Sequence, residues 1–352
     1  IPFDGVPGPL NAITDVAGVE VGHVTLIEGD PPLRVGVGPV RTGVTAILPR
    51  GKSFSPVYAG WHALNGAGEM TGTTWLEASG FLEGPVMLTT THSVGVVRDG
   101  VLRWMRDDGV HEAGDSTYLI IPVVGETYDG VMNDVTGFHV TREHAVEALR
   151  SARAGRVQEG SVGGGTGMMC HEFKGGIGTA SRRVFDYTLG VLVQCNYGQR
   201  EDLLVAGVPV GKELVGGHAE FVGAAPQEDL GSIIVIVATD APMLPHQLNR
   251  LAQRPSLGLG RLGGHANNGS GDIFLAFSTA NPGAWTSETT DVTSVPNRFL
   301  SAFFRAVVEA TEEAIVNALV AGRSMEGANG TLHGLPHREL QEVLARYGRL
   351  ER

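Results

Sequence analysis

Cysteine is nearly absent. Cys170 and Cys195 are the only two in 352 residues, too few for a disulfide framework, and their place inside or beside apolar segments reads as a pair of buried free thiols. Basic residues are also short. Lys and Arg number 26 against 38 Asp and Glu, a formal charge of −12, which repels nucleic acid and anionic membrane and favours an enzyme acting on small molecules or peptides. There is no basic stripe and no internal repeat. No apolar run reaches the ~18–20 residues of a membrane span. The chain begins at Ile1 rather than methionine, so the compartment of this soluble protein is left open between cytoplasm and periplasm. Several catalytic signatures are missing too. No His-Glu-x-x-His occurs, and Pro336 between His333 and His337 breaks the helical face their spacing would need, so no metal and no cofactor are expected. The glycine-rich segments have neither P-loop spacing nor a βαβ fingerprint, which argues against a phosphate site.

What is present is glycine and apolar residues. Hydrophobic residues make up 42% of the chain, enough to bury a large core, and 51 glycines are spread among the apolar runs without a period. That pattern implies tight turns and close backbone approaches in a compact α/β protein. Strands are expected within Asn11–Val24, over Gly43–Leu48 with Pro49 as the stop, over Val86–Thr91, Tyr118–Gly125, Tyr187–Gln194 and Ser232–Thr239, and from Ser270 to Ser278. Helices are expected over Thr141–Ala154, from Gln247 to Ala252, and over Phe299–Ala321 with a polar shoulder at Thr311-Glu312-Glu313. Parallel βαβ alternation is not sustained, so mixed sheets between helix layers fit better.

The richest stretch is Asn267-Asn268-Gly269-Ser270-Gly271-Asp272, which runs straight into a buried strand. Read alone it is a turn before a strand. Read as chemistry, a serine after glycine can attack its own preceding carbonyl, because glycine tolerates strained geometry. Cleavage of Gly269–Ser270 would leave Ser270 with a free α-amine beside its hydroxyl, so that nucleophile and base share one residue. An α-amine titrates near ~7.7–8.0 and is partly neutral at physiological pH.

Other candidates carry two readings each. Asn196 at a strand end could donate to an oxyanion or close an Asx-turn. Glu126 could hold a substrate ammonium or cap a loop. The segments Gly163–Gly167 and Lys174–Thr179 could aim backbone N–H groups at an anion, whereas the glycine-dense loop Asn65–Gly72 reads equally as plain turn chemistry. A Ser270-His246-Asp240 triad can be written on paper, but no Gly-x-Ser-x-Gly elbow surrounds Ser270, and His246 behind Pro245 reads as a helix-start residue.

Taken in order, several segments resemble the self-processing L-aminopeptidase/D-amidase/esterase and β-peptidyl aminopeptidase family over nearly the whole chain. They are Asn11–His23, Gly125–Asp129, Gly163–Met168, Val191–Asn196, Ala238–Pro242 with Pro245–Leu248, Asn268–Asp272 and Glu309–Ala314. The resemblance implies a four-layer α/β/β/α sandwich with mixed sheets, N-terminal-nucleophile-like, as a single domain over 1–352. It implies a precursor that cuts itself into 1–269 and 270–352 and assembles as a homotetramer. It puts Ser270 as nucleophile, Asn196 in the oxyanion hole, Glu126 on the free amine of a small peptide, amide or ester substrate, and Tyr128 beside the reacting centre. The Asn-Asn-Gly-Ser-Gly-Asp context and Tyr128 look closer to the L-aminopeptidase branch. Ser294 and Glu312 are candidates for completing the proton-transfer network. The competing readings are a self-cleaving acyltransferase of the ornithine acetyltransferase kind, which typically uses threonine, and a non-catalytic binding protein on the same scaffold.

Overall fold

The computed structural model describes residues 1–110, 120–222 and 231–350. In chain order its strands and α-helices are β1 (Glu20–Glu28), β2 (Val40–Lys52), β3 (Val57–Gly66), α1 (Thr73–Ser79), β4 (Phe81–Leu82), β5 (Val86–Thr90), α2 (Val94–Asp107), β6 (Val123–Thr127) and α3 (Arg142–Ser151). There follow β7 (Met169–Cys170), β8 (Phe173–Lys174), β9 (Gly176–Val184), β10 (Tyr187–Asn196), α4 (Val210–Glu213), β11 (Glu220–Phe221), β12 (Gly231–Thr239), α5 (Pro245–Ala252) and α6 (Pro255–Arg261). The chain closes with β13 (Ser270–Ser278), α7 (Leu300–Ala321), β14 (Met325–Gly327), β15 (Gly330–Leu332) and α8 (His337–Arg346).

Two mixed sheets carry the fold. One runs β1-β2-β5-β6 and the other β4-β3-β13-β12-β10-β9, with β5/β6 and β12/β13 the parallel pairs. Strand alternation sorts the core into three slabs. Ile234 and Ile236 of β12, with Ile273, Leu275 and Phe277 of β13, face Ile47 and Leu88 of the other sheet. Val235 and Val237 of β12 and Phe274 of β13 point outward and pack under α5, α6 and α7. Val44, Ala46 and Leu48 of β2 point the opposite way, under α2 and α3. The result is the α/β/β/α sandwich expected.

Boundaries differ where long-range pairing overrides local signals. β2 runs on through Pro49 to Lys52, because the β1 ladder ends at Leu48 and the missing N–H of Pro49 costs no pairing there. Tyr118 and Leu119 lie outside the described residues, and β6 begins only at Val123, where it pairs with β5. α5 opens at Pro245, a residue suited to the first helical position, with the Gln247 side chain accepting from the Leu244 amide at 3.0 Å. Helix α7 lies directly on β9 because Gly178 has no side chain; a Cβ there would overlap the Ala314 carbonyl.

Cys170 and Cys195 are joined, Cα atoms 5.8 Å apart, rather than free. The short β7/β8 hairpin folds back on the end of β10 and brings together two residues that are 25 apart in sequence.

The polar shoulder of α7 also has a structural role. Arg182, 2% exposed, sits 2.7 Å from Glu313 and 3.9 Å from Glu309, and donates to the Asp4 carbonyl, tying the N-terminal segment to β9 and α7. Removing the cation would leave two largely buried carboxylates without it. Arg182→Met is therefore expected to destabilise the fold by about 3–5 kcal/mol, read from urea denaturation, with part of the loss recovered at acid pH as the carboxylates protonate. A change below about 1 kcal/mol would mean that the carboxylates find other partners.

Candidate active site

Ser270 is the first residue of β13 and is 4% exposed. A tight turn delivers it, the Ser270 amide donating to the Asn267 carbonyl at 2.8 Å. Strand pairing then places it: Ser270 lies opposite Gly231 of β12, and Gly271 and Asp272 lie opposite Gly66 and Asn65 of β3. In a strand, residues two apart share a face, and the Ser270 hydroxyl donates to Asp272 Oδ1 at 2.7 Å. Burial raises the Asp272 pKa, while that hydroxyl and the Ile233 amide pull it back. The Asn65 side-chain amide donates to the carbonyls of Asn267 (2.9 Å), Asn268 (3.1 Å) and Ser270 (2.6 Å). The glycine-dense loop after β3 presses on the same strand. A Cβ on Gly271 would stand 2.7 Å from the Gly68 Cα, so backbone meets backbone there.

A cavity of about 200 Å³ opens beside this turn, lined among others by Glu126, Tyr128, Met169, Asn196, Ser232 and Gly269. It gathers the ends of strands from both sheets. Glu126, 3% exposed near the end of β6, accepts from the Glu69 amide at 2.9 Å and from the Thr91 hydroxyl. Burial raises its pKa, and those two donors partly offset the effect. Asn196, the last residue of β10, is oriented by two bonds: Oδ1 accepts from the Met169 amide at 2.8 Å, and Nδ2 donates to the Tyr128 carbonyl at 3.0 Å. An amide nitrogen carries two protons, so one remains for a guest. Tyr128 is 38% exposed at the cavity wall.

Ser270 itself lines a second, smaller cavity with Tyr197, Asn267, Asp202 and His265. Gly269 faces the larger cavity and Ser270 the smaller, while Tyr197, Gly198 and Gly231 line both. Asn267 lines the smaller cavity and Gly269 the larger, so the 267–269 turn runs between the two, while Ser232 rather than Ser270 lies in the cavity with Glu126 and Asn196.

Other candidates fall elsewhere. Asp240 accepts from the Thr188 amide at 2.7 Å, next to Thr239, which pairs with Ser278 at the opposite end of β13 from Ser270; His246 is exposed on the first turn of α5. No triad forms. Ser294 is exposed beside Val295, whose amide bonds the Pro242 carbonyl, also at that far end. Glu312 sits on α7 and pairs with Arg261 at 2.7 Å. The Gly163–Gly165 turn is wedged between the sheets, with the Gly163 and Gly164 amides donating to Thr25 and Thr45, and the Gly175 amide bonds the Met168 carbonyl. Those amides are committed to the fold. His333 and His337 face different partners, Glu220 and the Val320 carbonyl.

Residues that sequence reasoning missed are Asn65, Asp272, Ser232 and Tyr197. Asp272 had a signal, its two-residue offset from Ser270. Ser232 had one too, since Gly231-Ser232 opens the buried run of β12 as Gly269-Ser270 opens that of β13, and strand register sets it opposite Asn196; Asn65 had none, because it reaches the site only by lying opposite Asp272.

Comparison with known proteins gives the family and the fold. The model of peptidase family S58 matches residues 11–333. A β-peptidyl aminopeptidase BapA from Sphingosinicella microcystinivorans is 56% identical, the match covering 99% of this chain and 91% of that protein. Among solved structures, the L-aminopeptidase D-Ala-esterase/amidase of Ochrobactrum anthropi, described as a prototype serine aminopeptidase and a variant of the Ntn hydrolase fold, superposes with a TM-score of 0.91 at 47% identity, covering 100% of this chain and 98% of that one. A Burkholderia β-aminopeptidase gives 0.88 at 48%, with 100% and 98% covered. These values do not single out the L-aminopeptidase branch. With the family model spanning most of its length and a relative this similar from end to end, the chain belongs to peptidase family S58.

Proposed function

We propose that this protein is a serine aminopeptidase or amidase that matures by cutting itself between Gly269 and Ser270 and then releases N-terminal residues from small peptides, amides or esters. The observation that carries the reading is the arrangement of the two cavities. A buried carboxylate, a side-chain amide donor, Ser232 and the Gly269 backbone share one cavity, Ser270 lines the adjoining one, and cutting the Gly269–Ser270 bond would free an α-amine and loosen the wall between the two. The uncut chain is then inactive for two reasons: the serine lacks its base, and it faces away from the guest.

In the mature enzyme the substrate ammonium docks against Glu126, the carboxylate that Thr91 and the Glu69 amide hold in place. The scissile carbonyl oxygen lies against the free Nδ2 proton of Asn196, and the apolar side chain of the residue to be released lies along Val131 and Met169. Ser270 Oγ attacks, its α-amine takes the proton and passes it to the leaving amine, and water hydrolyses the ester. Tyr128 forms the outer wall. The S58 relatives support an aminopeptidase, and the homotetramer implied by resemblance belongs to the same proposal, open to light scattering on purified protein.

Intact mass under denaturing conditions is expected to give two chains, 1–269 and 270–352, for wild type and one for Ser270→Ala. Two chains in the alanine variant would end the self-cleavage model, and one uncut chain in wild type would return the binding-protein reading. A charge-assisted contact to the substrate amine is worth about 1.5–3 kcal/mol, so Glu126→Gln is expected to lower kcat/KM by roughly tenfold to a hundredfold. The pH dependence has a defined sign. The α-amine must be neutral and Glu126 ionised, so wild-type kcat/KM falls as pH drops through the amine pKa and falls more steeply below the raised pKa of Glu126; in Glu126→Gln the amine limb stays and the steepening disappears. A steepening that survives in Glu126→Gln would assign it to another group.

A further inference from the structure

Lysine is scarce in this chain. Of Lys52, Lys174 and Lys212, only Lys174 is buried, at 0% exposure. An ammonium there is costly unless its protons find acceptors. The β7/β8 hairpin shows which acceptor it meets. His171 and Glu172 turn the chain at φ of +48° and +61°, as the tightest hairpin turns require, so that Met169 and Lys174 lie opposite each other. From there Lys174 Nζ donates to the Met168 carbonyl at 2.7 Å, and the Gly175 amide donates to the same oxygen at 3.0 Å.

The Met168 carbonyl and the Met169 N–H belong to one peptide group, and that N–H donates to Asn196 Oδ1 at 2.8 Å. Asn196 Oδ1 and Nδ2 belong in turn to one side-chain amide. Its Nδ2 gives one proton to the Tyr128 carbonyl at 3.0 Å and keeps the other for the cavity that Asn196 lines. The donors therefore stand head to tail: Nζ–H to the Met168 carbonyl, Met169 N–H to Oδ1, and Nδ2–H toward a guest.

We propose that Lys174 is a positioning residue for the reaction, acting through the Met168–Met169 peptide and the Asn196 side chain to fix and polarise the Nδ2–H that receives the oxyanion. The oxyanion role of Asn196 is taken from the proposed function. A donor on the Met168 carbonyl draws electron density from the peptide nitrogen and strengthens its N–H as a donor. That N–H pulls on Oδ1 in the same way, and the conjugated amide leaves Nδ2–H more positive. Hydrogen bonds linked in this sense strengthen one another by about 10–30% each. Every link points its donor toward the cavity, the direction that stabilises negative charge there. The negative charge is larger in the transition state than in the bound substrate, so the gain belongs to kcat rather than to binding.

The other anchor of Asn196 is braced as well. Asp129, directly after Tyr128 and also 0% exposed, accepts from the Thr90 hydroxyl at 2.7 Å and from the Asn133 side-chain amide at 3.1 Å, which fixes the chain carrying the Tyr128 carbonyl. Burial pulls the Lys174 pKa down to about 7, and the Asp129 charge works against that fall. An oxyanion at the far end of the chain acts in the same sense as Asp129 and favours the charged lysine.

The test compares full-length wild type, Lys174→Met, Asn196→Ala and the double variant. Folding is followed by thermal unfolding, self-cleavage by intact mass, and kcat and KM on an aminoacyl anilide are expressed per processed chain. Lys174→Met has similar length and no donor. It is expected to lower kcat about threefold to tenfold with little change in KM, a fraction of the hundredfold or more that a lost oxyanion donor costs. In the Asn196→Ala background the same substitution is expected to change kcat by less than about twofold, because its route to the substrate is gone. Wild-type kcat in a folded, processed Lys174→Met, or an equal loss with and without Asn196, overturns the relay.

Should Lys174→Met not fold or not process, wild type decides. Lysine labelled with carbon-13 at Cε gives one signal for each of Lys52, Lys174 and Lys212. An α-aminoboronic acid, which forms a tetrahedral anion on the nucleophilic serine, is expected to move the Lys174 signal toward the charged form. The free amino acid product is expected to leave it in place, and the exposed Lys52 and Lys212 to respond to neither. A Lys174 signal that ignores the boronate overturns the proposal. Failure of the underlying reading looks different, because Asn196→Ala alone would then keep wild-type kcat.

Discussion

The register of β13 between β12 and β3 is the constraint on which the rest of the site depends. Pairing Ser270 with Gly231 and Asp272 with Asn65 settles which residues meet at that end of the sandwich. The β10/β12 register then sets Asn196 opposite Ser232, one residue along from the Gly231–Ser270 pair. A slip of one residue would turn Ser270 and Asp272 to the other face and carry Ile273 and Leu275 out of the inter-sheet core. The large apolar residues further along β13 therefore hold the polar pair at its start. Core packing and chemistry are one constraint on the same strand.

The second sheet contributes through its parallel pair. β5 and β6 run side by side, so their ends present Thr91 and Glu126 together, and the loop after β3 supplies the Glu69 amide. A buried carboxylate without such donors would simply be protonated. Here two donors support the charged form while burial opposes it, leaving a group that gains most when a cation arrives. Close backbone approach brings the two sheets' contributions within reach of each other. Gly68 packs against Gly271, and side chains at either position would push the loop away from the strand.

Legibility in the sequence followed the range of the interaction. Apolar alternation marked β10, β12 and β13, and the 3.6-residue period marked α7, because these are local consequences of burial on one or two faces. Ser270, Asn196 and Glu126 stood out as polar residues at the ends of apolar runs. The glycine-rich turn at 163–165 invited an anion-binding reading, but its amides are consumed by Thr25 and Thr45, partners more than a hundred residues away. The two cysteines read as free for the same reason: the hairpin that unites them is a tertiary event.

Composition and local pattern alone determined that this is an acidic α/β protein of mixed sheets, with a serine poised after glycine at the mouth of a buried strand. Strand pairing decided the remainder. It set Asp272 rather than His246 or Glu312 against Ser270, put the Asn65 amide across the turn before it, and placed Ser232 rather than Ser270 in the cavity with Glu126 and Asn196. The physical reason is that periodicity records which face of an element is buried, whereas hydrogen-bond register between distant strands decides which residues on that face meet.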